Sequence, residues 1–253
     1  MRSQIYQRFC ELQKQEHKQI ALLIDPDKSE NCASLVRQAD KAGVDIFLVG
    51  GSLIFHGNIS ETIRTIKQNT QKPVIIFPGS NLHICKEADA ILLLSLVSGR
   101  NPEYLIGQHV VAAHALAQSG LEIISTGYLL IDGGIPTTVS YISNTTPIPQ
   151  HKPEIAAATA LASQLLGMQM IYLDCGSGAQ TPIDQRMIQL VRQTIRLPLL
   201  VGGGLRSAEN ILSAWHAGAD ICVVGTAIEQ NPSALEEMMQ TLNQFRNIAL
   251  VHS

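Results

Sequence analysis

The sequence predicts an α/β protein whose fold is a (β/α)8 TIM barrel, modified because the third helix is missing or replaced. Eight short apolar runs alternate with helical patterns along the chain, the order expected of a parallel sheet wrapped by helices. Two consecutive runs near the C-terminus, 197–201 and 221–224, end in glycine turns, as at the phosphate site after the last two strands of such barrels. The length of 253 residues is usual for one barrel, so we expect a single domain over 1–253. A doubly wound sheet is the alternative, which eight strands with a late pair of glycine turns disfavour.

The predicted strands are continuous runs rich in Val, Leu and Ile, as expected of parallel strands buried on both faces. They cover 20–24, 45–49, 73–77, 90–96, 121–130, 170–173, 197–201 and 221–224. A leading amphipathic helix is predicted at 3–17, with Ile5, Phe9 and Leu12 on one face. The remaining helices are predicted at 30–42, 59–69, 102–117, 154–166, 184–194, 207–217 and 232–245.

Two connections depart from this alternation of strands and helices. After the turn at 78–80 that closes the third strand, only residues 81–88 lead to the fourth, and so short a segment cannot form a full barrel helix. The connection 132–153 contains four prolines and has no clear periodicity. Long connections of that kind are often lids or binding loops, so we expect this connection to be a lid or a binding loop.

Composition excludes several classes of protein. Net charge is −3 and no basic block is present, so nucleic acid is not an expected partner. Five widely spaced cysteines without a CxxC pair are typical of free thiols in the reducing cytoplasm. No secretory signal or apolar run of about 18 residues is present, so we expect no membrane span. The charged fraction is only 15% and the mean hydropathy is positive. We therefore expect part of the apolar surface to be covered, either in a homo-oligomer (a dimer or hexamer) or by an apolar ligand. A peripheral contact with membranes stays open.

Polar residues and glycines follow several of the predicted strands. Since barrel active sites lie at the carboxyl ends of the strands, we expect these residues to share one mouth. They are Asp25 and Asp27 after the first strand, Gly51 and Ser52 after the second, Tyr128 on the fifth, Asp174 and Ser177 at the sixth, and the two late glycine turns.

The glycine turns at 202–204 and 225–226 predict a phosphate site. Glycine lets backbone N–H groups approach an anion closely, and a following helix N-terminus adds partial positive charge. The segment 176–178 is either a third part of this cradle or an ordinary turn. Asp25 and Asp27 offer carboxylates suited to Mg²⁺ that bridges to substrate phosphates. The alternative is an Asx turn that caps the next helix.

Asp174 is the best candidate for charge chemistry on the sixth strand. It could accept a substrate hydroxyl proton or anchor that hydroxyl, and the alternative is a structural carboxylate. The eight histidines show no metal-ligand spacing, and no motif for covalent catalysis is present.

Six stretches identify a family resemblance: LLIDPDK (22–28), FLVGGSL (47–53), STGYLLIDGG (125–134), IYLDCGSGA (171–179), LLVGGGLRS (199–207) and ICVVGTAIE (221–229). In these stretches the chain resembles the geranylgeranylglyceryl phosphate synthases, a group that also contains bacterial heptaprenylglyceryl phosphate synthases. The stretches occur in family order over nearly the whole chain. A further stretch, SYISNTTPIP (140–149), resembles the bacterial branch nearest the archaeal enzymes.

The resemblance implies a barrel without a regular third helix and a Mg²⁺-dependent prenyltransferase. In that reaction a hydroxyl of sn-glycerol 1-phosphate attacks the first carbon of a prenyl diphosphate, here expected to be geranylgeranyl diphosphate, and pyrophosphate leaves. The implied metal positions are Asp25 and Ser52. The implied glycerol 1-phosphate positions are Tyr172, Leu173, Asp174, Cys175, Gly176, Ser177, Gly178, Gly203, Gly204, Gly225 and Thr226.

One departure from the family concerns Asp174, where many members carry glutamate as the residue proposed to bind or deprotonate the glycerol hydroxyl. Aspartate is one methylene shorter, about 1.5 Å of reach, so the backbone or a water must make up the difference. Two other functions remain as alternatives. One is a phosphate-binding barrel lyase or isomerase acting on a small phosphorylated metabolite, and the other is a barrel that binds such ligands without turnover.

Overall fold

The computed structural model describes residues 4–225, 228 and 233–251, and its eight parallel strands close into a barrel in chain order. Gln19 on the first strand lies beside Ile221 on the last, which closes the sheet. The strands are β1 Gln19–Ile24, β2 Ile46–Val49, β3 Val74–Ile76, β4 Ala90–Leu96, β5 Glu122–Leu130, β6 Met170–Asp174, β7 Leu199–Gly202 and β8 Ile221–Val224. The prediction of a barrel is confirmed.

Helices surround this sheet, and most predicted bounds hold to within a few residues. The helices are α1 Gln4–Lys14, α2 Cys32–Ala42, α3 Ile59–Asn69, α4 Gln108–Ala117, α5 Thr138–Ile142, α6 Pro153–Leu165, α7 Gln185–Thr194, α8 Ala208–His216 and α9 Ser233–Val251. A short 3₁₀ turn covers Pro26–Lys28, and one wide turn of π-helical hydrogen bonding, Glu103–Gly107, precedes α4.

The expectation of an irregular connection over 132–153 was wrong in its middle, where α5 forms. Thr137 caps this helix in a capping box, in which the Ser140 hydroxyl in turn accepts the backbone N–H of Thr137 at 3.0 Å. Such reciprocal bonds satisfy two backbone donors that would otherwise lack partners. Five helical residues are too few for a hydrophobic periodicity to be read from the sequence.

The core has two layers, inside the barrel and between strands and helices. On β6, for example, Met170 and Tyr172 belong to the inner layer, and Ile171 and Leu173 to the outer one. Phe9 of α1 joins the inner layer, so the leading helix packs against the end of the barrel opposite the mouth. This alternation decides which side chains at the strand ends can meet inside the barrel.

No helix forms between β3 and β4, as predicted; residues 77–89 cross this gap as turns and extended chain. In place of a helix, Ile84 of this link and Ala112 and Leu116 of α4 lie near the outer face of β4. Among the described residues, no helix combines the length and apolarity needed to cross a bilayer.

Candidate active site

Asp174 ends β6 inside the barrel mouth and is only 6% exposed. The Tyr128 hydroxyl donates to Oδ2 at 2.5 Å, and the Gly176 N–H donates to Oδ1 at 2.9 Å. Burial raises the pKa of Asp174, and these two hydrogen bonds partly oppose the rise. A carboxylate has about four acceptor positions, so Asp174 can accept a further hydrogen bond from a substrate hydroxyl.

Aromatic side chains support this carboxylate from below. Tyr128 lies beside Tyr172 in the register of β5 and β6, and their rings meet edge to face with centroids 5.4 Å apart. Phe77 packs against both rings, at 6.0 Å and 5.4 Å. Burial keeps the pKa of Tyr128 well above its usual range, so its hydroxyl stays protonated and donates to Asp174.

The glycine turn after β7 lies directly against Asp174. Gly203 has a φ of +78°, and a Cβ there would stand 2.7 Å from the Cys175 backbone nitrogen and 2.9 Å from Asp174 Oδ1. Only glycine combines this conformation with so close an approach. The turn then leads into α8, which begins at Ala208 after the N-cap Ser207; a helix N-terminus that follows a glycine turn is a common anion site.

Arg206, in the loop after β7, connects that loop to the segment after β6. The sequence did not indicate this residue. Its guanidinium donates to the backbone carbonyl of Ala179 at 2.7 Å, so it joins the two loops and adds positive charge at their rim. The side chains of Leu173 and Cys175 lie in the outer layer, so only their backbone is available to a ligand in the mouth. Thr226 lies outside the described residues, while Gly225 directly follows β8.

Asp25 and the turn containing Ser52 lie on adjacent strand ends. Asp25 Oδ1 lies 3.4 Å from the position of a Cβ on Gly51, and Oδ2 lies 3.7 Å from Lys28 Nζ. Oδ1 also accepts the backbone N–H of Asp27 at 3.1 Å, as the Asx-turn alternative predicted. Asp25 therefore forms the Asx turn and also lies beside Gly51, at the end of the neighbouring strand.

Asp27 has a different environment from Asp25. Its carboxylate accepts the backbone N–H groups of Phe55, His56 and Gly57 at 2.8, 2.9 and 2.6 Å. These three bonds hold the pKa of Asp27 below its usual value. The sequence grouped Asp27 with Asp25 as a second oxygen ligand, but this carboxylate is occupied by the β2–α3 loop.

The types of oxygen donor at Asp25 and Ser52 are those that a magnesium ion shared with a phosphate ligand would use. Asp25 and Ser52 supply a carboxylate and a hydroxyl oxygen, and Mg²⁺ usually takes few protein oxygens while keeping waters and substrate phosphates. Within the described part of the chain, no group of three or more His, Cys, Asp and Glu side chains could hold a metal ion. A cage built wholly from such side chains is therefore absent there.

A cavity of about 120 Å³ opens from the mouth and runs over β4 into the gap left by the missing helix. Ser52, Phe77 and Tyr128 line its mouth end. Apolar side chains of β4, the β3–β4 link and α4 line the remainder; among them are Ile84, Ile91, Leu93, Ala112 and Leu116. The cavity therefore joins the polar mouth to an apolar groove on the barrel wall.

The structure places several of the predicted mouth residues in two groups. Asp174, Tyr128 and Gly203 are in contact, and Asp25 lies beside Gly51. The sequence placed Tyr128 at the mouth without a specific role, and it did not indicate Phe77 or Arg206. The alternation of β5 could have indicated that Tyr128 points inward with Asp174, whereas no local signal marks a guanidinium that binds the backbone of a neighbouring loop.

Comparison with known proteins gives matches over nearly the full chain. The model of the PcrB family matches residues 12–245. A geranylgeranylglyceryl phosphate synthase of Spirosoma linguale is 51% identical over 230 residues, covering 90% of this chain and 92% of its own. One from Chitinophaga pinensis is 48% identical over 245 residues, with coverages of 96% and 97%. The crystal structure of (S)-3-O-geranylgeranylglyceryl phosphate synthase from Thermoplasma acidophilum, in complex with substrate sn-glycerol-1-phosphate, matches with a TM-score of 0.87 and 32% identity over 95% of this chain and 98% of that one.

Proposed function

This chain belongs to the PcrB family, and from that premise we propose that it transfers a prenyl group from a prenyl diphosphate to sn-glycerol 1-phosphate. The observation that carries the proposal is the mouth itself. A glycine cradle and a buried carboxylate lie at one side, and an apolar groove leaves from the other. A small phosphorylated acceptor and a long apolar donor need these two environments next to each other.

The acceptor binds with its phosphate on the glycine turns after β6, β7 and β8. The backbone N–H groups there and the N-terminus of α8 provide the positive ends of dipoles that a phosphate requires. Asp174, in contact with the β7 turn, then accepts a hydrogen bond from the glycerol hydroxyl. Because burial raises its pKa, this carboxylate is a stronger proton acceptor than an exposed aspartate.

In the reaction the glycerol oxygen forms a bond to the first prenyl carbon while the bond from that carbon to the diphosphate oxygen breaks. The hydroxyl proton passes to Asp174, and Tyr128 holds the carboxylate in place through the reaction. Pyrophosphate leaves on the side of Asp25 and Ser52, which would hold Mg²⁺. When bound, the metal supplies positive charge to the departing diphosphate.

The prenyl tail occupies the groove beside β4. Its lining of Ile, Leu and Ala side chains removes the tail from water, which favours binding by about 0.8 kcal/mol for each buried methylene. The predicted preference for geranylgeranyl diphosphate belongs to this proposal. Exposed Val110, Val111, Leu165 and Leu166 support the proposal of a homo-oligomer, while a cytoplasmic location and a peripheral membrane contact stay predictions.

The experiment that tests the function incubates purified protein with sn-glycerol 1-phosphate, Mg²⁺ and geranylgeranyl diphosphate, and identifies products by mass. We expect a prenyl ether of glycerol phosphate that forms only when both substrates are present. A lyase or isomerase would instead transform a phosphorylated metabolite without any prenyl diphosphate. A binding protein would retain glycerol 1-phosphate without forming product.

Asp25 provides the first test of the diphosphate side. Asp25→Asn removes a charge from the position that would hold Mg²⁺, so we expect product formation to fall by about 10²-fold, as for loss of a metal or its ligand support. The same loss should follow when excess chelator is added to wild type. Melting temperature should change little, because the side-chain oxygen of the introduced asparagine can still accept the Asp27 N–H. Full activity in Asp25→Asn or in chelator would contradict the metal assignment.

The groove provides a second test, through chain length. Ala112 is buried against the groove on α4, and Ala112→Trp would fill it. A long prenyl tail would then be overpacked in the groove, which costs about 1–3 kcal/mol, whereas a shorter tail needs less of the groove. We therefore expect geranylgeranyl transfer to fall roughly tenfold or more while transfer from geranyl diphosphate is retained. Ala113→Trp, on the exposed face of the same helix, is the matched control. Equal losses with both chain lengths would place the tail elsewhere.

A further inference from the structure

The segment between β2 and α3 carries Ser52 but is poorly anchored by its own side chains. Leu53 and Phe55 are 39% and 74% exposed, so they contribute little packing that would order the loop. What orders it instead is the carboxylate of Asp27, which accepts the backbone N–H groups of residues 55, 56 and 57. Charge-assisted hydrogen bonds to backbone donors are among the stronger polar contacts in proteins.

The contact between the two loops is close enough to fix their relative position. A Cβ on Gly57 would stand 2.3 Å from the carbonyl carbon of Pro26, so the β2–α3 loop lies backbone to backbone against the turn after β1. On its other side, a Cβ on Gly79 would stand 2.2 Å from the carbonyl oxygen of Gly51. The loop that carries Ser52 thus lies between the turn after β1 and Gly79 after β3. Asp27 supplies the hydrogen bonds on the β1 side.

We infer that Asp27 is a positioning residue that orders the β2–α3 loop and so places Ser52 beside Asp25 for the diphosphate group of the donor. The inference rests on the proposed function, because it assigns Asp27 to holding the loop on the side of the site where the donor diphosphate is proposed to bind. Asp27 itself does not touch substrate in this account. Its three backbone partners already take three of the about four acceptor positions of the carboxylate.

The inference predicts different effects on the two substrates. The glycerol phosphate cradle lies on β6, β7 and β8, and the three N–H groups that Asp27 accepts all belong to the β2–α3 loop. Asp27→Asn removes the charge and replaces one of the two acceptor oxygens with an amide nitrogen. We therefore expect the KM for the prenyl diphosphate to rise about tenfold, while the KM for glycerol 1-phosphate stays within about twofold.

The test combines this kinetic comparison with hydrogen exchange of the backbone amides of residues 55–57. In Asp27→Asn these amides should exchange faster than in wild type. Asp40→Asn is the matched control, because Asp40 accepts the Thr70 hydroxyl at 2.6 Å at the other end of the barrel, and we expect neither change there. If Asp27→Asn does not fold, Gly57→Ala displaces the same loop at its contact with the turn after β1 and should give the same signature.

Faster exchange with an unchanged KM for the prenyl diphosphate would overturn the inference, since the loop would then be ordered without positioning the donor. Unchanged exchange would overturn it as well. A wild type that forms no ether would contradict the proposed function instead. The exchange arm needs no substrate, so it still decides whether Asp27 orders the loop.

Discussion

Replacing Asp174 with asparagine is expected to lower kcat/KM for ether formation by about 10²–10⁴-fold, the usual cost of losing a general base. Asparagine keeps the shape and can still accept one of the two hydrogen bonds from Tyr128 and Gly176, but it cannot take a proton. Part of the loss is expected as a higher KM for glycerol 1-phosphate. Circular dichroism and thermal melting check that the variant is folded. Asp174→Glu, which keeps the carboxylate and adds one methylene, should retain a large share of activity.

The pH profile separates a base from a structural carboxylate. Burial raises the pKa of Asp174, so in wild type kcat/KM should fall with decreasing pH at values above the ordinary aspartate pKa of about 3.9. In Asp174→Asn this acid-side decline should disappear from the residual activity. In Tyr128→Phe it should move to higher pH, because the hydroxyl that stabilises the ionised form is gone.

An Asp174→Asn enzyme within about threefold of wild type in kcat/KM, a loss of only ~0.65 kcal/mol, would mean that the proton goes to another acceptor. The departing pyrophosphate or a water would then take the proton, and Asp174 would be structural. An acid-side decline that persists in the variant would lead to the same conclusion.

Substitution of Gly203 is expected to have the second-largest effect. With a φ of +78° and 2.9 Å between its Cβ position and Asp174 Oδ1, Gly203→Ala both strains the turn and displaces the carboxylate. Left-handed strain costs about 1–2 kcal/mol and overpacking about 1–3 kcal/mol. Together these predict a loss of roughly 10²-fold in kcat/KM, with a strongly raised KM for glycerol 1-phosphate. Gly203→Val should be more severe.

Gly225 is the matched comparison for Gly203. A Cβ there would meet its nearest neighbour, the carbonyl oxygen of Leu23, at 3.3 Å, so Gly225→Ala requires only a small adjustment. We expect its KM for glycerol 1-phosphate to rise far less than that of Gly203→Ala. Normal glycerol 1-phosphate binding by a folded Gly203→Val protein would show that the β7 turn is not part of the cradle.

These two positions show how far the sequence can predict the site. Glycine turns at the ends of buried strands have a strong local signal, and barrel geometry converts them into a shared mouth. Asp174 was found in the same way, because it ends a continuous apolar run. The short link after the third strand predicted the missing helix, since eight residues cannot span that distance as a barrel helix.

What the sequence did not predict depends on contacts between distant segments. Asp27 resembles Asp25 in sequence, and only the approach of residues 55–57 shows that Asp27 anchors a loop. The bond from Tyr128 to Asp174 joins residues 46 positions apart. Such contacts follow from strand register, which local periodicity does not determine.

An isotope measurement tests most directly whether the glycerol oxygen displaces pyrophosphate from the prenyl carbon. Wild-type protein is incubated with geranylgeranyl diphosphate, Mg²⁺ and sn-glycerol 1-phosphate whose attacking hydroxyl carries a heavy oxygen isotope. Both products are then analysed by mass. The account predicts that all of the label is retained in the ether and none enters pyrophosphate. Label in pyrophosphate, or loss of the label from the ether, would contradict attack at the prenyl carbon and with it the proposed function.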